Sequence, residues 1–362
     1  MTTQSKKSEY LYLTADRVGM QSGGGIVTYQ ESRALAELAS EDGTDFNLVD
    51  RKRIEGLPES SGLGDPWCWD HKAYYSFGNR VKLAHLYAGT FSDSVAKLKS
   101  FGAKVTYTAA AHDINESRKA HLELGISYDY PHLTDPDLWR RYVGGYLGAD
   151  VVVCPSTLSA NVMRSFGAKR VEVIPHGCYL PEGKLEFPTQ FVVGYLGSLG
   201  ADKGVRYLLE AWKNLAYKDA ILVLGGSDSQ TPWADYLIRT YGGGTIVQLG
   251  WVKDVSDFYN GISLYVQPSV SEGFGIEVLE AMAYGRNVLC STGAGACDLI
   301  VPEYQFPSGA INTLAKKIDQ QKLDFGTREA MEDSKHVRDR ASAFTWDKIR
   351  ARYQDLWRSL LS

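Results

Sequence analysis

Short apolar runs of strand length alternate with longer amphipathic stretches along most of the chain, and the alternation restarts once, near residue 190. Candidate strands lie at 10–14, 47–50, 81–87, 104–108, 151–154 and 171–174. A second series lies at 191–196, 220–224, 245–249, 264–267 and 287–290. Helical stretches fall between them, among them 28–38, 92–101, 136–147, 205–214 and 277–284. Such alternation with β-rich apolar runs calls for parallel sheets covered by helices on both faces. Between the two series the stretch 175–183 (PHGCYLPEG) carries Pro and Gly and suits a linker. The expected fold class is therefore α/β, with two Rossmann-like domains at 1–183 and 184–340 and a tail at 341–362 whose pattern over 347–361 is helical. Ligands of such sheets sit at the carboxyl ends of the strands. Two facing domains would place the site in the cleft between them.

A chain of 362 residues is long enough for two cores without disulfide staples. With 44% hydrophobic and 23% charged residues it has the make-up of a folded globular protein. No apolar run reaches membrane-spanning length. Thirty-nine basic against 43 acidic residues give a net charge of −4, which disfavours nucleic acid as the main partner. The five cysteines, Cys68, Cys154, Cys178, Cys290 and Cys297, form no Cys-x-x-Cys pair, and their odd number fits reduced thiols in a cytoplasmic protein. The polar stretch 1–9 is followed by an apolar run, 10–14, too short for a signal-peptide core.

The segment 268–285 (PSVSEGFGIEVLEAMAYG) carries the most chemistry. Two glycines in three residues, Gly273 and Gly275 around Phe274, mark a tight loop, and helix-forming residues begin at Ile276. A glycine loop feeding a helix start presents backbone N–H groups and a positive dipole end, which suits a diphosphate. Glu272 in the loop can reach past the phosphates to the group they carry. Glu280, about one turn into the helix, can accept two hydrogen bonds from a vicinal diol such as a ribose. Read alone, Glu280 could equally be solvated, with Glu277 merely favouring the dipole.

The two glutamates with seven residues between them match the Glu-x7-Glu signature of the retaining GT-B glycosyltransferases, and the chain most closely resembles their family 4 group over nearly its whole length. Gly23, Gly24 and Gly25 before the 28–38 helix resemble that family's glycine-rich first loop, a place for a phosphate or an acceptor. The segment 108–113 (TAAAHD) resembles its strand-then-His-Asp element, in which the histidine, here His112, contacts the transferred sugar. Further likenesses are 171–177 (VEVIPHG, with His176 where Asn is commoner), 194–204 (GYLGSLGADKG), 249–251 (LGW) and 344–346 (FTW). The last implies a terminal helix that crosses back to the first domain.

The resemblance implies a metal-independent retaining transferase of hexosyl type, moving a sugar from a nucleotide-sugar donor to a hydroxyl of a glycan, lipid-linked or small-molecule acceptor. Lys203 would neutralise the leaving phosphates as a compact charge. The backbone of Gly273, Phe274, Gly275 and Ile276 would hold the diphosphate, Glu272 the sugar hydroxyls and Glu280 the ribose. Trp251 either stacks on the base or belongs to the core. One departure stands out. The family often has Arg after the glycine that here is Gly197, and this chain has Ser198, so a cation is missing. Arg206 is near in sequence, with its direction open. A catalytically silent nucleotide-sugar binding protein and a GT-B epimerase are the alternatives.

Asp135-Pro-Asp137 has the Asp-x-Asp form that holds metals elsewhere, but it precedes a helix, where Asp135 reads as a cap with Pro at the first turn. No other carboxylate, His or Cys cluster has ligand spacing, so no cofactor or metal is expected. The aromatics in 66–71 and 74–77 suit either an acceptor platform or a core plug. Near-neutral charge gives no support for strong membrane docking, weak peripheral contact remains open, and oligomeric state is not addressed.

Overall fold

The computed structural model describes residues 7–19, 23–55, 70, 72–87, 89–128, 135–182 and 188–362. Two six-stranded sheets organise the chain, and every strand pairing is parallel. The first runs β2-β1-β3-β4-β5-β6, with β1 at Glu9–Thr14, β2 at Asp45–Val49, β3 at Val81–Tyr87, β4 at Lys104–Thr108, β5 at Val151–Cys154 and β6 at Val171–Val173. The second runs β12-β11-β10-β7-β8-β9, with β7 at Val192–Leu196, β8 at Ile221–Gly225, β9 at Ile246–Gly250, β10 at Leu264–Gln267, β11 at Asn287–Ser291 and β12 at Gln305–Phe306. These are the two Rossmann-like α/β halves the sequence calls for. Strand order reverses between β7 and β10, and the crevice at such a reversal is where ligands of this architecture bind.

Strands covered on both faces read as unbroken apolar runs rather than alternating ones. All four residues of β10 and of β5 are buried. In the second sheet's core Val193, Leu222 and Leu264 meet Leu208, Leu209 and Trp212 of helix α7 (Val205–Leu215). The first sheet's core gathers Leu11, Leu13, Val49, Leu86, Val105 and Tyr107 around Phe91.

By packing, the chain divides into two units. The first comprises Met1–Ala111, Asp129–His176 and Trp346–Ser362, and the second His112–Tyr128 and Gly177–Thr345. The last helix, α13 (Trp346–Leu361), belongs to the first unit, where it packs on α1 (Gly23–Glu41). A buried polar cluster fastens it. Tyr353 donates to Glu31 (2.7 Å), Trp357 Nε1 donates to Thr106 (3.0 Å), and Glu31 lies 3.2 Å from His85 Nε2. Buried charge is tolerated only when so partnered. Conversely α4 (Ile114–Glu123), which follows β4 in the chain, packs with the second unit: Ala120 joins Ala201 and Val270, with Leu124 against them.

One local expectation is corrected. Gly23, Gly24 and Gly25 do not form a loop ahead of a helix starting at 28; α1 begins at Gly23, so they are its first turn. Glycine lowers helix propensity without forbidding a helix, and at Gly24 the missing side chain leaves room for Asp16, whose Oδ2 would lie 3.1 Å from a Cβ there. Of the aromatic stretch, 66–69 and 71 lie outside the described residues, as does Cys68. Phe77 belongs to the first core, and Tyr75 is exposed. The other four cysteines are buried and unbridged. Among the described residues no helix is long and apolar enough to cross a membrane.

Candidate active site

The loops that leave β7 and β10 at the reversal of strand order carry the candidate residues. After β7 the chain turns through Ala201–Lys203, a single 3₁₀ turn, into α7. After β10 it runs through 268–275 into α10 (Ile276–Ala283). The two loops are fastened together. The Asp202 carbonyl accepts the N–H groups of Val270 (2.8 Å) and Ser271 (3.3 Å). Gly204 adopts φ +66°, and a Cβ there would fall 2.1 Å from the Pro268 carbonyl oxygen. Only glycine permits both this backbone and this approach.

That closeness brings Lys203 and Glu272 into an ion pair. Their side chains remain 28% and 18% exposed, so a ligand can reach both. Burial works against the Lys203 ammonium, but Glu272 and Glu277 outweigh it and hold its pKa above the ordinary lysine value. The sequence analysis places the two groups on separate parts of a ligand, Lys203 on the phosphates and Glu272 on the sugar. In the structure they neutralise one another, and Glu277 contributes to the field on Lys203. Burial raises the Glu277 carboxyl, with Lys203 pulling the other way.

The loop of Glu272 is braced from behind. Glu272 N–H donates to the Gly293 carbonyl (2.9 Å), Gly295 N–H to Glu272 (3.0 Å), and Ala296 N–H to Phe274 (2.8 Å). Phe274 is buried. Gly275 takes φ +90° and, as a glycine, offers no capping side chain to α10, while Glu277 sits in the first turn of that helix. Glu280, on the same helix, is half-buried and accepts a hydrogen bond from Tyr259 (2.8 Å). Burial, then the neighbouring Glu277, push its pKa up to about 7.

His112 and Asp113 belong to this same packed unit. The Ser271 hydroxyl donates to the Asp113 carbonyl (2.6 Å), which ties the half-buried His112 segment to the loop of Glu272. The Asp113 carboxylate caps α4, accepting from Asn115 and Glu116 N–H. Ser198 is exposed in the loop after β7, its carbonyl accepting from Tyr195. Arg206, whose direction the sequence left open, pairs with Glu210 (2.9 Å) and Glu123 (3.3 Å). Trp251, 56% exposed just after β9, is not a core residue. Asp135 caps its helix by accepting from Asp137 and Leu138 N–H. Gly23, Gly24 and Gly25 lie in the first unit. Among the described residues no group of three or more His, Cys, Asp or Glu could hold a metal ion.

Sequence reasoning passed over Tyr259, Ser271 and Gly204. Gly204 alone left a signal, as a glycine between a turn and a helix; the others act through tertiary contacts that no local pattern encodes.

This geometry has relatives. Residues 190–321 match the family described as Glycosyl transferases group 1. The matched span holds Ser198, Lys203, Trp251, Glu272 and Glu280. The chain is 29% identical over 236 residues to the capsular polysaccharide biosynthesis glycosyltransferase CapM of Staphylococcus aureus, covering 58% of this chain and 62% of that protein. The chain spans about three fifths of the length of that protein and of a second curated relative, an uncharacterized glycosyltransferase of Methanocaldococcus jannaschii. Among solved structures, sucrose-phosphate synthase of Thermosynechococcus elongatus superposes with a TM-score of 0.74 at 20% identity, covering 98% of this chain and 99% of that one. Anabaena HepE in complex with UDP gives 0.69 at 16% identity, covering 97% and 100%. The fold is that of the GT-B glycosyltransferases.

Proposed function

We propose that this chain is a retaining, family-4-type glycosyltransferase that moves a hexose from a nucleotide-sugar donor to a hydroxyl of a glycan, a lipid-linked or a small-molecule acceptor. The observation that carries this reading is the Lys203–Glu272 pair at the sheet's reversal point, next to the glycine-led start of α10. HepE, a structural neighbour, has been solved with UDP.

The proposed chemistry follows from charge. As the nucleoside diphosphate departs, negative charge grows on its phosphates. Lys203 and the amino end of α10 are fixed donors for that charge, so no metal is assigned a step. Glu272 exchanges its partner Lys203 for hydroxyls of the sugar, and His112 faces the same sugar. Glu280 accepts from the ribose diol, Trp251 stacks on the base, and Ser198 offers a hydroxyl to the phosphates. The acceptor attacks from the face the diphosphate leaves, which gives retention. The reaction is proposed for the cytoplasm.

Steady-state kinetics test the assignment. Glu280→Ala is expected to raise donor KM by about tenfold, the worth of a lost hydrogen bond to a charged group. Lys203→Ala and Glu272→Ala are expected to lower kcat by about a hundredfold. Unchanged constants in all three would remove the basis for the proposal. Slow release of nucleotide from donor alone, without an epimerised sugar, would set a transferase apart from a silent binding protein and from an epimerase.

A further inference from the structure

Glu280 is not held by its own helix. It accepts from Tyr259, which reaches it from α9 (Val255–Gly261), 21 positions earlier in the chain. Tyr259 is fully buried, and its ring stacks on Tyr284 with centroids 5.2 Å apart. Tyr284 is itself pinned by its hydroxyl to Ser256 (2.7 Å), also on α9. The Tyr259 hydroxyl further contacts the Glu277 carbonyl at 3.3 Å. The phenol is thus held from several directions, with its proton aimed at Oε2 of Glu280.

We propose that Tyr259 is a positioning residue for donor binding: its hydroxyl locks one oxygen of Glu280 and thereby turns the other toward the vicinal diol of the donor's pentose. This inference rests on the ribose role given to Glu280 above. A carboxylate presents more acceptor sites than a carboxylic acid, so the ionised group can accept from Tyr259 on one oxygen and from both diol hydroxyls on the other, whereas the protonated group gives up an acceptor site to its own O–H. The surroundings oppose ionisation. Glu277 on the same helix is a like charge. Among the described residues, Cys178, Tyr259 and Tyr265 of β10 also interact with the Glu280 charge. Of these, Tyr259 supplies the hydrogen bond that favours the anion. Its own ionisation is driven far upward by burial and by Glu280, so it acts as a permanent donor.

Tyr259→Phe removes one oxygen and keeps the ring that packs on Tyr284. Donor KM is followed from about pH 5.5 to 9 for the wild type, Tyr259→Phe, Glu280→Ala and the double variant. In the wild type KM should climb as pH falls through about 7, where Glu280 takes up its proton. In Tyr259→Phe this break should move up by about one pH unit, with KM at neutral pH raised about tenfold and kcat at saturating donor nearly unchanged. Glu280→Ala should lack the break, and the double variant should be no worse than Glu280→Ala. A wild-type break in Tyr259→Phe, or additive losses in the double variant, overturns the role of Tyr259 and leaves the ribose assignment standing. A wild-type KM and break in Glu280→Ala overturns both. Should Tyr259→Phe fail to fold, Ser256→Ala, which frees the Tyr284 hydroxyl behind the ring, carries the same expectation of an upward-moved break, and an unmoved one overturns the proposal.

Discussion

Lys203 is in contact with one carboxylate, that of Glu272, and under the proposed function it would meet a different anion during catalysis. The Glu272 carboxylate in contact with it competes with any diphosphate for the same ammonium. Removing that competitor separates binding from turnover. Glu272→Gln is expected to bind a nucleoside diphosphate about five- to tenfold more tightly while transferring sugar far more slowly, checked by calorimetric titration beside kinetics. Weaker nucleotide binding would show that the ion pair organises the site rather than blocking it. Glu280 gives a second residue-scale expectation. Its pKa rises from 4.5 to about 7 on folding, so the native state holds an extra proton between those values. The resulting stabilisation is complete below about pH 4.5 and is lost as pH rises through 7. Glu280→Gln should therefore gain on the wild type across that window, by an amount on the order of 2 kcal/mol once partial solvent screening is allowed for. Urea denaturation at several pH values reads this directly, and parallel stability curves would refute it. Glu272 and Glu280 stand out in the sequence because a glycine loop entering a helix is a local pattern, whereas Lys203, in a separate turn, is singled out only by the family resemblance. That Lys203 and Glu272 face each other was not legible, because the loops carrying them are 69 positions apart and meet only through the sheet.

At the scale of elements, the two loops stay together because one position has no side chain. Gly204→Ala would set a Cβ against the Pro268 carbonyl and strain a left-handed backbone. A loss of about 2–4 kcal/mol is expected, together with reduced kcat as the Lys203 turn is pushed away. Denaturation and turnover measured on one preparation check both, and a variant unaltered in either would show that the loops do not depend on this contact. The strands at 151–154 and 264–267 were readable to the residue because burial on both faces leaves a nearly continuous apolar run, and those at 81–87 and 104–108 because their β-branched and aromatic residues are bounded by turn residues. The start of α1 was not readable, since a run of three glycines signals a turn by composition while Asp16 crowds against Gly24 only in three dimensions. Nor was the allegiance of α4. Strand–helix alternation would assign it to the sheet of the strand before it, and its small apolar face instead packs on Ala201 and Val270.

For the whole molecule the expected signature is ligand-linked stability. A nucleotide that binds the native chain should stabilise it by about 2.7 kcal/mol at a hundredfold excess over Kd. A thermal-shift series with UDP, GDP and ADP should single out one nucleotide, and a flat response to all three and to their sugar conjugates would contradict nucleotide binding. Which nucleotide it is was never legible, because on the proposed function base choice would depend on side chains near Trp251 rather than on the loop assigned to the phosphates. The division of the chain carries a consequence for engineering. Its backbone changes unit after residues 111, 128, 176 and 345. A recombinant hybrid cut at a single seam would strand α4 away from Ala201 and Val270, and α13 away from Glu31 and Thr106. Swapping donor preference between two such proteins therefore means transplanting 112–128 along with 177–345 as one discontinuous block.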